Sequence, residues 1–307
     1  MVKQVIVLGL AAWTAVALAA PLRETGVAAD AKWIVHGDAA GFRQTEVGKY
    51  LLNELSNPTN EALFAAFKSV WNSDPRTDLD SYTLYGATAA PADAVVILRG
   101  RHDMTRSTAV FKTNSTYRLF TEGRFSIHHW MEVSSVPTWL CGFDDRTVVI
   151  TRKHELMRQA LAVLEGKAPS LQAPEAIGGA TNYLVAFANL KAIGGEAAQS
   201  IALQHAESVN FTYTERQDQV VLTSTLRATE SKTAGKLTAV LQGALATLEL
   251  NSEAKPDSAD REALLRFIRN ISVRQQQERV TVTAILPVTD FIALTKSRAL
   301  QQWLGMR

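Results

Sequence analysis

His36 and Asp38 stand two residues apart in the segment WIVHGD, residues 33–38. On a strand, that spacing turns both side chains to one face. Such a pair suits a divalent metal, or an imidazole oriented by a carboxylate as a general base. The simpler alternative is a packed strand end at which Asp38 caps the following helix. Two further histidine features are His102-Asp103 and His128-His129. Adjacent strand residues face opposite sides, so His128 and His129 do not clasp one ion together. One of them, taken here as His128, would form a three-histidine zinc site with His36 and His102 across neighbouring strands. No HExxH-type spacing supports that site, and histidines packed beside Trp130 and Trp139 are the plainer reading.

Other chemistries find less. No serine lies in a G-x-S-x-G turn, and neither a dinucleotide fingerprint nor a P-loop occurs. The single cysteine, Cys141, excludes an intramolecular disulfide and a cysteine zinc site. Its setting in Trp139-Leu-Cys-Gly-Phe143 reads as a buried, inert thiol. Asp78-x-Asp80 and Asp144-Asp145 lack the loop length and late glutamate of an EF-hand, so they read as solvated turn carboxylates. Arg99, Arg101, Arg118 and Arg124 interleave with Tyr117, Phe120, Phe125 and Trp130. That is a possible glycan or nucleic-acid platform, or the wet face of a half-buried sheet. Lys plus Arg exceed Asp plus Glu by 32 − 30 = 2, which favours the second and argues against nucleic acid as a partner.

The elements that position these residues are short. Lys32–Asp38, Ser81–Tyr85 and Ala94–Gly100 read as strands. Ala94-Val-Val-Ile-Leu98 is apolar throughout, as in a central strand covered on both faces. Helical stretches end near Leu55 and begin after Pro58, with Thr59 or Asn60 as the cap. A short helix starts at Asp103. Hairpins follow at 117–132 and 138–151, then a helix over 154–164. Lys167–Ala180, with two prolines and two glycines, reads as a linker. The pattern then restarts: a strand over 183–190, a short helix after Gly194-Gly195, hairpins at 208–227 and 271–286, and a helix from Thr289 to Leu304. Ala234, Leu237, Leu241, Ala244 and Leu248 stripe a long helix between the hairpins. The expected fold class is α+β: two similar domains, 20–170 and 171–307, each an antiparallel sheet with helices on one face.

The first residues read as an export signal. Lys3 supplies the charge, Val5–Leu18 the apolar run and Ala17-Leu18-Ala19 the small-x-small site, so cleavage is expected between Ala19 and Ala20. An uncleaved anchor is the alternative, because Gln4–Leu22 carries no charge. No later segment is apolar enough to span a bilayer.

Taken in order, WIVHGD, SYTLYG, VVILRGRHD, YRLFTEGRFSIHHW and LAVLEGKAPSL, with LTSTLRATE and VTVTAILPVTDFIAL in the second half, resemble a group of uncharacterised exported bacterial proteins of planctomycete- and verrucomicrobia-type genomes. The resemblance spans most of residues 30–300. It implies secretion and a repeated α+β build, and it assigns no functional residues. The expectation is an exported, periplasmic or secreted, non-enzymatic binding or structural protein. Its partner would be another cell-envelope protein, and no cofactor is expected. The alternatives are a periplasmic metal-dependent hydrolase using His36, Asp38 and His102, and a carrier of a small apolar ligand.

Overall fold

The computed structural model describes residues 22, 26–132, 135–171, 182–193, 204–253 and 259–296. The expected signal segment and its expected Ala19/Ala20 cut, the expected linker over 172–180, the helix expected after Gly195 and the chain beyond 296 lie outside them. The chain forms two compact units, Met1–Tyr183 and Leu184–Arg307. The sequence puts the boundary at 170/171.

The first unit contains β1 (Trp33–Asp38), α1 (Ala39–Phe42), α2 (Glu46–Leu55), α3 (Pro58–Trp71), α4 (Pro75–Asp78), β2 (Leu79–Gly86) and β3 (Ala94–Gly100). After them come α5 (Met104–Phe111), β4 (Arg118–Glu122), β5 (Phe125–Met131), β6 (Pro137–Gly142), β7 (Thr147–Thr151) and α6 (His154–Leu164). Its strands run in the order β1-β2-β3-β7-β6-β5-β4, each antiparallel to the next. Local chemistry sets the helix starts. Asp103 Oδ1 accepts from Arg106 N at 3.0 Å and opens α5. Asn57 Oδ1 accepts from Asn60 N at 3.1 Å, so Asn57 caps α3 in place of the expected Thr59 or Asn60. Pro58 takes the first helical position, where an N–H has no intrahelical partner and its loss costs nothing.

Helices cover both faces of this sheet, which corrects the expectation of one covered face. Val95, Ile97, Ile127, Cys141 and Val149 form one core with Met157, Ala160 and Leu161 of α6. Leu140 and Val148, their neighbours in sequence, join Phe111 of α5 and Val70 and Trp71 of α3 in another. Successive residues point to opposite faces, so consecutive apolar pairs such as Val148-Val149 require cover on both.

The second unit contains β8 (Leu184–Asn189), α7 (Leu190–Ile193), β9 (Ala206–Arg216), β10 (Gln219–Ala228), α8 (Ser231–Glu253), α9 (Ala259–Arg269), β11 (Ile271–Gln276), β12 (Arg279–Pro287) and α10 (Val288–Lys296). The antiparallel order is β8-β9-β10-β12-β11. Here the core lies on one sheet face, where Leu226 and Val280 meet Ala234 and Leu237 of α8. The register sets Leu226 opposite Val280 and Leu222 opposite Ala284, while Thr223 and Thr225 meet Thr283 and Thr281 on the other face. That matches the apolar/threonine alternation in 280–286. Among the described residues, no helix is long and apolar enough to cross a membrane.

Candidate functional site

Strand β1 does turn His36 and Asp38 to one face, opposite Thr83 and Ser81 of β2. Both are inside: His36 is 2% exposed and Asp38 1%. His36 Nδ1 lies 2.9 Å from Thr83 Oγ1. Asp38 Oδ1 accepts from Gly41 N at 3.0 Å and caps α1, the simpler of the two roles open to it. Nearby, burial pulls the Arg43 guanidinium below its usual range, against the opposing pull of Asp80, Asp78 and Asp38. Its Nη1 donates to the Leu79 carbonyl at 3.0 Å.

His102 sits in the loop between β3 and α5, with Nδ1 3.3 Å from the Gly100 carbonyl. It lines an open groove of about 700 Å³ with Asn72, Arg101, Asp103, Asp144 and Asp145. His128 lies on β5 with Nδ1 2.9 Å from the Tyr117 hydroxyl and its ring edge-on to Phe111.

The three-histidine site is therefore not assembled. His36 shares its face with Ile34 and the α6 core, whereas His128 faces Phe111 of α5. They are also five strand spacings apart in the sheet order, about 24 Å at ~4.8 Å per strand. Zinc ligands must all reach within about 2 Å of one ion. Among the described residues, no three His, Cys, Asp or Glu side chains are placed to hold a metal.

The arginine–aromatic platform is likewise divided. Tyr117 and Trp130 join the α3/α5 core, whereas Phe125 belongs to the α6 core. Arg101 pairs with Asp78. Arg124 lies over the rings of Phe125 and Phe143 and bonds Glu165 at 3.1 Å.

What the tertiary structure does assemble is an aromatic–histidine stack on the α6 face. His129 of β5 stacks on Trp139 of β6 at 4.1 Å between centroids, and Trp139 stacks on His154 of α6 at 4.3 Å. Phe120 of β4 tilts against Trp139 at 5.2 Å and His154 at 5.7 Å. Glu122 closes the cluster, with its two oxygens 3.0 Å from His154 Nε2 and 3.2 Å from Arg158 Nε. The half-buried rings lie beside a carboxylate and a guanidinium, so the cluster joins aromatic surface to both signs of charge. An open groove of about 700 Å³ continues past Glu122 and Arg158 to Arg124, Glu165 and Lys167. Hairpin register could have placed His129 opposite Trp139. Nothing in the sequence brings His154 onto that pair, since the helix start must first fold back over β6.

No family model matches the chain, and no curated protein matches it. The chain is similar to solved structures of TP0453, a Treponema protein. Crystal form III aligns at a TM-score of 0.49 and 10% identity, over 88% of this chain and 96% of that one. Crystal form I gives 0.46 and 11%, over 90% and 97%, and crystal form IV 0.47 and 10%, over 89% and 95%.

Two side chains give direct tests. Burial drives the Cys141 thiol up to about 12, with Arg124 opposing slightly. Cys141 is expected to be inert to a thiol reagent in the native protein and to react stoichiometrically in denaturant. Fast native labelling would place it at the surface. Burial also lowers the His128 pKa below 6.5, helped by Lys112. Between the folded value and 6.5 the unfolded chain binds the extra proton, so His128 contributes stability that is complete above 6.5 and lost as pH falls. Lowering the pH from about 7.5 to about 5.5 should therefore reduce the Tm of the native chain more than that of His128→Phe. Parallel Tm curves would contradict this assignment.

Proposed function

We propose that this chain is an exported, non-enzymatic binding or structural protein of a bacterial cell envelope, with another envelope component as its partner. The observation that carries the reading is the His129–Trp139–His154 stack with Phe120, Glu122 and Arg158 at its border. It is a recognition surface, whereas His36 and Asp38 are committed to Thr83 and to the α1 cap. The Lys3, Val5–Leu18 and Ala17-x-Ala19 pattern supports export.

A duplicated unit is part of this proposal, and the pairing order supports it. In each unit a strand runs into a short helix, a hairpin and a helix follow, and a second hairpin returns its last strand beside the third. Thus β1-β2-β3-β7-β6 parallels β8-β9-β10-β12-β11, with β4–β5 as the extra hairpin. The strand-to-helix corners also agree: Asp38 Oδ1 accepts from Gly41 N at 3.0 Å, and Asn189 Oδ1 from Ala192 N at 3.1 Å.

One observation favours the rival hydrolase: the buried Nε2 of His102 has no hydrogen-bond partner among the described residues, and its groove holds Asp103, Asp144 and Asp145. A single purification from the native host without chelator separates the readings. The expected protein begins at Ala20, within a residue or two by mass spectrometry, and carries no stoichiometric zinc. Stoichiometric zinc that is lost in His102→Ala would overturn the non-enzymatic reading, and an intact Met1 in a cytoplasmic fraction would overturn export.

A further inference from the structure

Strand β4 ends the sheet order of the first unit, and among the described residues no strand pairs with its outer edge. Four of its five residues are exposed, including Leu119 at 50% and Phe120 at 39%. Protein sheets usually guard such an edge with proline, a bulge or a central charge, because its free N–H and C=O groups template pairing. The segment Arg-Leu-Phe-Thr-Glu, residues 118–122, contains no proline and pairs with β5 without a bulge, and its charges sit only at its ends.

That charge placement is complementary to itself. We propose that two copies of this chain associate through antiparallel β4–β4 pairing centred on Phe120. In that register Arg118 meets Glu122 of the second copy at both ends, Leu119 meets Thr121, and Phe120 meets Phe120. Arg118 is exposed, and its Nη1 donates to the carbonyl of Tyr117 at 2.8 Å. Among the described residues it has no carboxylate partner. Glu122 is held on the same sheet face by Arg158 and His154.

Hydrogen-bond parity agrees. The two-residue turn Gly123-Arg124 joins Glu122 to Phe125, and Gly123 adopts φ 58°. Residues flanking such a turn exchange backbone hydrogen bonds, and bonded pairs alternate along the ladder. Arg118, Phe120 and Glu122 therefore bond inward to β5, and Leu119 and Thr121 present their backbone groups outward. In the proposed register Leu119 and Thr121 of opposite copies are the pairs that must bond. Phe120 falls at a non-bonded position, where side chains approach most closely. The pairing adds Phe120 of each copy to the aromatic cluster of the other. Five residues a side bury less than the ~1,200 Å² at which specific, stable interfaces begin, so the dimer is expected to be weak and concentration-dependent.

Sedimentation equilibrium of the full chain over a broad concentration range tests this. Arg118→Glu sets two pairs of acidic residues opposite each other, and Glu122→Arg sets two pairs of basic ones. Each is expected to weaken self-association about tenfold. An equimolar mixture of the two variants restores opposite charges at both ends and should associate at least as well as the native chain. Thr121→Pro removes an outward N–H and should abolish dimerisation while leaving the monomer's thermal transition in place. A chain that stays monomeric at all concentrations would overturn the proposal. So would a dimer indifferent to both charge variants, or a mixture that fails to recover.

Discussion

Met157→Asp is expected to eliminate the cooperative unfolding transition of the first unit. Met157 is 0% exposed and lies where α6 meets Ile97, Ile127, Cys141 and Val149. It belongs to the core between that helix and residues of four strands. An unpaired carboxylate there costs several kcal/mol, or stays protonated at a similar penalty, against a stability of about 5–15 kcal/mol. The measurement is the thermal transition by near-ultraviolet circular dichroism. A Met157→Leu control conserves volume and should lose no more than about 1.5 kcal/mol. In the second unit the buried helix position is Leu237 of α8, 2% exposed against Leu226 and Val280. Leu237→Asp should be far more damaging than Leu241→Asp, since Leu241 is only partly buried. Equal tolerance of aspartate at 157 and at an exposed site such as Leu250 would mean that α6 does not cover the sheet.

The second large effect is expected at Gly100, where β3 leaves the sheet. A Cβ there would stand 2.2 Å from the Asp78 carbonyl oxygen and 2.8 Å from Leu79 Cα. Both are backbone atoms at the β2 irregularity between Leu79 and Ser81, so no side-chain rotation relieves the contact. The Gly100 backbone also has φ 158°. Gly100→Ala should therefore cost about 3 kcal/mol, at the upper end of overpacking effects. Chemical denaturation gives the value from a shifted midpoint at constant slope. Gly123→Ala, whose Cβ would meet nothing within 4 Å, reports the φ penalty without a clash and should lose less. If the two alanines cost the same, the close approach of β2 to Gly100 is not what holds this corner.

Most of the local structure was legible in the pattern of residue types. Alternation and turn residues placed the hairpins at 117–132, 208–227 and 271–286, since strand period and turn chemistry are properties of a few consecutive residues; the Glu122/Phe125 closing pair was legible in Gly123-Arg124, whereas Arg216/Gln219 and Gln276/Arg279 extend the expected strands into their turns. It put His36 and Asp38 on one face and His128 and His129 on opposite faces for the same reason. The starts of α5 and α6 were legible in Asp103 and in the stripe of 156–164. Which faces are covered was half-legible: the unbroken apolar run of β3 asked for cover on both sides, but no spacing says that α3 and α5 take one face and α6 the other. Strand order lay beyond the sequence. β7 inserts beside β3 while β4 is left at the edge, a choice made by the summed burial of Val149, Ile97 and Met157 across long separations. That choice keeps His36 and His128 apart, stacks His129, Trp139 and His154, and exposes Leu119 and Phe120. Contacts between residues remote in the chain are decided by packing of whole faces, and a linear pattern of residue types carries the faces but not their partners.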